Sequence, residues 1–111
     1  MDIKPGADIR GLRNVMRYPL SVAERIWEEN GRSEGITITC GLNGVHSAGS
    51  LHPCGLAVDL RTRYFTSEIA SDVARRLRST LKVVDTNYGV KLESDHIHVQ
   101  WRPPKHLEHH Y

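Results

Sequence analysis

Long apolar runs are missing from this 111-residue chain. No stretch approaches the roughly 18 to 20 apolar residues that a membrane span requires. The N-terminus, Met1-Asp2-Ile3-Lys4-Pro5-Gly6, lacks the apolar region of a signal peptide. The chain is therefore expected to be cytoplasmic as synthesised, reaching a cell wall only through another factor or through lysis. Cysteine is scarce: Cys40 and Cys54 are the two in the sequence, and they do not form a C-x-x-C zinc or redox pattern. Reduced, buried thiols are the expectation, with a disulfide or thiolate ligation near His52 as alternatives. Charge of one sign is also in short supply. A net charge of +2, with no patch of interleaved basic and aromatic residues, gives no reason to expect nucleic acid as a partner. Repeats, low-complexity runs and linkers are absent, so residues 1–111 are expected to form one domain with one modest core. Hydrophobic content of 39% and charged content of 25% are ordinary for a globular protein.

The patterns that are present read as follows. Ala7 to Arg17 carries Ile9, Leu12, Val15 and Met16 at helical spacing, and Pro19 is expected to interrupt that helix. Ser21 and Glu24 make a capping-box pattern before Val22, Ile26 and Trp27, and Asn30-Gly31 ends this second helix. Ile36 to Cys40 is rich in β-branched residues and predicts a strand. Gly41 to Gly55 predicts a long loop, a length that points to a functional task. Leu56 to Leu60 predicts the next strand. Thr66 or Ser67 caps a third helix, with Ile69, Val73 and Leu77 recurring every four residues. Lys82 to Val84 and Val90 to Leu92 flank Asp85-Thr86-Asn87-Tyr88-Gly89 and suggest a hairpin. His96 to Trp101 predicts the last strand, stopped by Pro103-Pro104. This order predicts an α+β domain, with helices packed on one face of a mainly antiparallel sheet. The C-terminal Leu107-Glu108-His109-His110 has the look of a cloning tag and is set apart from any site.

Two segments carry the chemistry. Ser50 to Asp59 offers His52 and Asp59, and Asp95-His96-Ile97-His98 offers two more imidazoles. Strand alternation puts Asp59 on the face opposite Val58 and Leu60. It puts His96, His98 and Gln100 on one face and Ile97, Val99 and Trp101 on the other. Singly, each polar residue has a structural explanation. Together, two imidazoles and one carboxylate with a position left open describe a catalytic zinc site, and acid/base groups lie nearby.

Ser50-x-His52-x-x-Gly55-x-Ala57-x-Asp59 resembles the first signature of the D-alanyl-D-alanine metallopeptidases, relatives of lysostaphin-type peptidases and hedgehog domains. His96-x-His98 is similar to their second, H-x-H. The resemblance runs from about Ile36 to Trp101. It implies a hedgehog- and DD-peptidase-like fold, with Zn²⁺ held by His52, Asp59 and His98. It makes Asp95 the general base and gives His96 a supporting place near the transition state. A rival register, Glu93-x-x-His96, makes His96 the ligand and Glu93 the base. Many members carry an arginine where this chain has Asn43, and His46 or Arg61 is the candidate to compensate. Ser50, His46, Asn43 and Arg61 are thus the candidate substrate contacts.

The resemblance implies an amide bond in peptidoglycan stem peptides as the substrate, cleaved by a carboxypeptidase or an endolysin-like endopeptidase; a monomer is expected. Two rivals stand beside it. One is a non-catalytic zinc domain that binds cell-wall peptide or protein. The other is a structural domain without a metal.

Overall fold

A computed structural model describes residues 1–41, 51–52 and 55–104. The calls on Asn43, His46, Ser50, Cys54 and the C-terminal tail lie outside the described residues. The elements are β1 (Asp2–Ile3), a 3-10 turn (Asn14–Met16), α1 (Arg17–Glu29), β2 (Thr37–Cys40), β3 (Ala57–Arg61), α2 (Ser67–Val84), β4 (Tyr88–Leu92) and β5 (His96–Trp101). The five strands form one sheet in the order β1-β2-β3-β5-β4. β1 runs parallel to β2, and the other neighbours are antiparallel, so this α+β domain has a mixed sheet.

Alternation decides which face is the core. Ile97, Val99 and Trp101 are buried while His96, His98 and Gln100 are partly exposed, as the period of two requires. On β3, Val58 and Leu60 join the same core as Ile97 and Val99. Helix α1 contributes Val22, Ala23, Ile26 and Trp27, and α2 contributes Val73, Ala74, Leu77 and Leu81. Both helical stripes follow the 3.6-residue period. Thr66 caps α2, its hydroxyl accepting from the Ile69 amide at 3.2 Å. At the other end, Asp85 accepts from the Asn87 amide at 2.8 Å and from the Trp101 indole at 2.9 Å.

Three sequence expectations are corrected. Ala7 to Arg17 is not a helix: Gly11 takes φ 83, and Asn14–Met16 is a single 3-10 turn. A positive φ cannot be carried within a right-handed helix. Pro19 does not interrupt anything, because α1 begins at Arg17 and the proline lies in its first turn. There the missing N–H is one that a helix leaves unpaired anyway. Ser21 is accordingly inside the helix rather than its cap. Lys82 to Val84 is the last turn of α2, not a strand, and the partner of β5 is β4 from Tyr88 onward. The Val73-Leu77-Leu81 stripe outweighs the β-propensity of Val83 and Val84, which are left exposed at 87% and 59%.

Candidate metal centre

Strand register assembles the site. Asp59 on β3 is the cross-strand partner of His98 on β5, and Arg61 is the partner of His96. Partners in an antiparallel pair share a face and lie about 4.5–5.5 Å apart. On the other side of β3, a register shift between Ile38 and Cys40 places Cys40 opposite Asp59. That irregularity lets Cys40 share the face of Asp59 although Ile38 faces the core.

His52 arrives from outside the sheet, and Gly55 makes its approach possible. Gly55 has φ 76, its amide donates to the His52 carbonyl at 3.1 Å, and its own carbonyl accepts from the Arg13 amide at 2.9 Å. A Cβ at Gly55 would overlap the Gly11 carbonyl oxygen, so no other residue fits without a backbone shift. His52 is 3% exposed, and its Nδ1–H donates to the Gly41 carbonyl at 2.8 Å. This leaves the Nε2 lone pair directed at the cluster.

Three donor atoms then converge. His52 Nε2 stands 3.2 Å from Asp59 Oδ1, His98 Nδ1 stands 3.0 Å from the same oxygen, and the two nitrogens are 3.2 Å apart. The rings meet edge to face with centroids 4.9 Å apart. Tetrahedral zinc bonds of about 2.0–2.1 Å put neighbouring donors about 3.3 Å apart. The observed triangle is close to that spacing, so this N₂O set fits a small divalent cation. Cys40, His52 and Asp59 also lie close enough together to bind a metal ion, with their donor atoms within 4.8 Å of one another.

The electrostatics follow from the contacts. Burial pushes the Asp59 carboxyl up, but its contacts with His52 and His98 outweigh it and hold the group well below the usual carboxylate range. The bond to Asp59 raises His98 above its ordinary value, against the opposing effect of burial. The His98 Nε2–H donates to Gln100 Oε1 at 2.9 Å, which adds to that rise and fixes Nδ1 as the atom facing Asp59.

The remaining candidates are placed as follows. His96 Nε2 lies 3.8 Å from Asp59 Oδ1, farther than His98 Nδ1, so His98 rather than His96 completes the triangle. A bend at Ser94 and Asp95 precedes β5 and turns the Asp95 carboxylate back onto its neighbour. Asp95 Oδ1 accepts from His96 Nδ1 at 2.8 Å. Glu93 pairs with Lys91 at 3.4 Å and lines a separate cleft with Arg63 and Ser94. Arg61 is half-buried beside His96. Sequence reasoning missed the parts played by Gln100, the Gly41 carbonyl and Cys40. The alternation of β5 was a signal for Gln100. The Cys40 position depends on a bulge that carries no sequence mark.

None of the comparisons, with protein-family models, with curated proteins and with solved structures, yields a significant match to this chain. No helix among the described residues is long and apolar enough to cross a membrane.

Proposed function

We propose that the chain is a zinc-dependent peptidase that hydrolyses an amide bond in peptidoglycan stem peptides, on a hedgehog- and DD-peptidase-like fold. One observation carries the reading. Asp59 Oδ1 lies within 3.2 Å of an imidazole nitrogen from His52 and another from His98, on the sheet face that also bears the His96–Asp95 pair. The substrate class comes from the resemblance of the two sequence signatures. Zinc held by His52, Asp59 and His98 supplies a Lewis acid and lowers the pKa of water to about 7.

The chain's own residues handle the protons. His96 Nδ1 donates to Asp95, which turns the ring's Nε2 toward the Asp59 cluster. The resemblance makes Asp95 the base, but Asp95 Oδ1 is engaged by His96 Nδ1, so His96 Nε2 accepts the proton from the attacking water in its place and returns it to the departing amine. Asp95 thus enters the proton step through His96. Such transfers contribute about 10²–10⁴ in rate. Glu93 is the base in the rival register, and Ser50, His46, Asn43 and Arg61 are the substrate contacts. The protein works as a monomer, and cell lysis delivers it to the wall.

The test pairs metal analysis of the purified protein with mass spectrometry of digested stem peptides. About one zinc per chain and one cleaved amide bond are expected. Asp95→Ala and His96→Ala should keep zinc and lose about 10²-fold or more in kcat. Full zinc and full activity in His98→Ala would overturn the ligand set.

One observation favours a second reading, a non-catalytic zinc domain that binds cell-wall peptide or protein. Cys40 Sγ is near enough to His52 and Asp59 to act as a ligand. A thiolate filling the fourth position makes a closed site of the structural type. Zinc without cleavage, and weaker zinc binding in Cys40→Ser, would select this reading.

A further inference from the structure

The sheet face that carries Asp59 continues into a cationic cleft of about 490 Å³. Lys4, Arg32 and Arg61 line it with Thr37 and Tyr64, against a single carboxylate, Asp2. Arg61 is the link to the site. It stands two residues beyond Asp59 on β3, so both side chains leave the same face about 7 Å apart. Ile38 pairs with Leu60 and both are buried in the core, so Thr37, one step back, faces the same way as Arg61. Lys4 is tied alongside through its amide, which donates to the Ile38 carbonyl at 2.9 Å.

Arg32 is the most telling of the three. Its guanidinium lies over the Tyr64 ring, 4.0 Å from the centroid. One terminal nitrogen pairs with Glu34 at 3.3 Å. Its Nε is buried and has no hydrogen-bond partner among the described residues. A buried, charged N–H without an acceptor is costly, and the side chain, 27% exposed overall, meets the cleft through its other atoms. Two hydroxyls stand beside it. The Trp27 indole donates to the Tyr64 oxygen at 3.1 Å, and Tyr64 donates to Thr37 Oγ1 at 3.3 Å. Thr37, which accepts there, also lines the cleft.

Three cations suit a planar anion that takes a forked contact from arginine. We propose that the Lys4–Arg32–Arg61 cleft is a substrate subsite for a carboxylate of the peptide. The proposal rests on the peptidase reading given above. Extended peptide covers about 3.3–3.6 Å per residue, so the step from Asp59 to Arg61 is about two residues. A stem peptide offers two such groups, its C-terminus and the free carboxylate of an internal acidic residue.

The test uses the zinc-loaded chain and three synthetic stem peptides: the parent, its C-terminal amide, and the form amidated at the internal acid. Binding is read from the Trp27 indole N–H resonance, and cleavage is followed in parallel by mass spectrometry. One amide should bind at least about tenfold more weakly than the parent, and it identifies which carboxylate is held. The preference should vanish in the Arg32→Gln/Arg61→Gln double variant and survive in Arg61→Lys, which keeps the charge. Equal binding of all three peptides, binding of none, or a preference that persists in the double variant would overturn the proposal. A preference without cleavage leaves the subsite standing and removes the peptidase reading. Cleavage of all three at equal kcat/KM, with equal binding, does the reverse.

Discussion

Gly55→Ala should be among the most damaging single-methyl additions near the site. Gly55 has φ 76, and an L-residue held there costs about 1–2 kcal/mol. The added Cβ also overlaps the Gly11 carbonyl oxygen and lies 3.3 Å from both the Gly11 carbonyl carbon and the Leu12 Cα. These are backbone atoms, so relief requires the segment carrying Arg13 to move away from the turn that holds His52. Forced overpacking of this kind costs about 1–3 kcal/mol more, for about 2–5 kcal/mol in all. For a domain of this size that is a fall in Tm of about 8–20 °C. Gly31→Ala is the internal control. Its φ is 93, yet a Cβ there meets nothing within 4 Å, so only the backbone cost applies. Urea unfolding of both variants, with chelator present to remove linkage to metal, separates the two contributions. If Gly55→Ala costs no more than Gly31→Ala, the close packing of Gly11 on Gly55 is not what shapes the turn.

Further outcomes follow from the same contacts. Thr66→Ala should lose about 1 kcal/mol by urea melt, since it removes the hydroxyl that caps α2; a loss below about 0.3 kcal/mol would refute the cap's role. Gln100→Leu should weaken zinc about 10–100-fold in a chelator competition while leaving the melting curve of the metal-free protein nearly unchanged, because Gln100 orients the His98 ring. Zinc affinity should climb about tenfold per pH unit just above pH 6.5, since cation binding at His98 Nδ1 displaces a proton whose pKa is raised above the ordinary value of 6.5; a flat profile there would count against His98 as ligand. In the metal-free protein the His98–Asp59 pairing has the opposite sign. Its contribution to stability is fully present below pH 6.5 and declines as pH rises through the raised value.

Legibility in the sequence followed periodicity. The alternation of His96 to Trp101 is strict, and β5 emerges with the expected faces. The Val73-Leu77 spacing and Thr66 likewise mark α2 and its cap. Where the local signal is shared between outcomes, tertiary structure decides. Val83-Val84 has strand propensity but sits at the end of a helix whose stripe is already buried. Pro19 reads as a breaker until it is known that the helix starts two residues earlier. The two-residue β1 has no pattern of its own and exists because the Asp2 and Lys4 amides find carbonyls at Ile36 and Ile38. At the candidate site, His52, Asp59 and His98 were named from spacing and resemblance, and the structure brings them together. Cys40, Lys4 and Arg32 could not be found that way. Each joins its neighbours through a bulge, an edge pairing or a helix end, none of which a linear pattern records.

The two faces of β3 and β5 explain how such a polar cluster coexists with a core of modest size. Val58, Leu60, Ile97 and Val99 carry the packing, while Asp59 and His98, their immediate neighbours in sequence, carry the chemistry. A one-residue slip between these strands would break both at once, because side chains change face with period two. The register that buries the aliphatic set is therefore the same one that sets Asp59 opposite His98. The carboxylate's burial is offset by two imidazoles rather than by the core. The cluster is internally hydrogen-bonded, so the strands do not depend on a metal to close over an unpaired charge. In this fold, site geometry is a by-product of the pairing that makes the core, and only His52 has to be delivered separately, by the turn at Gly55.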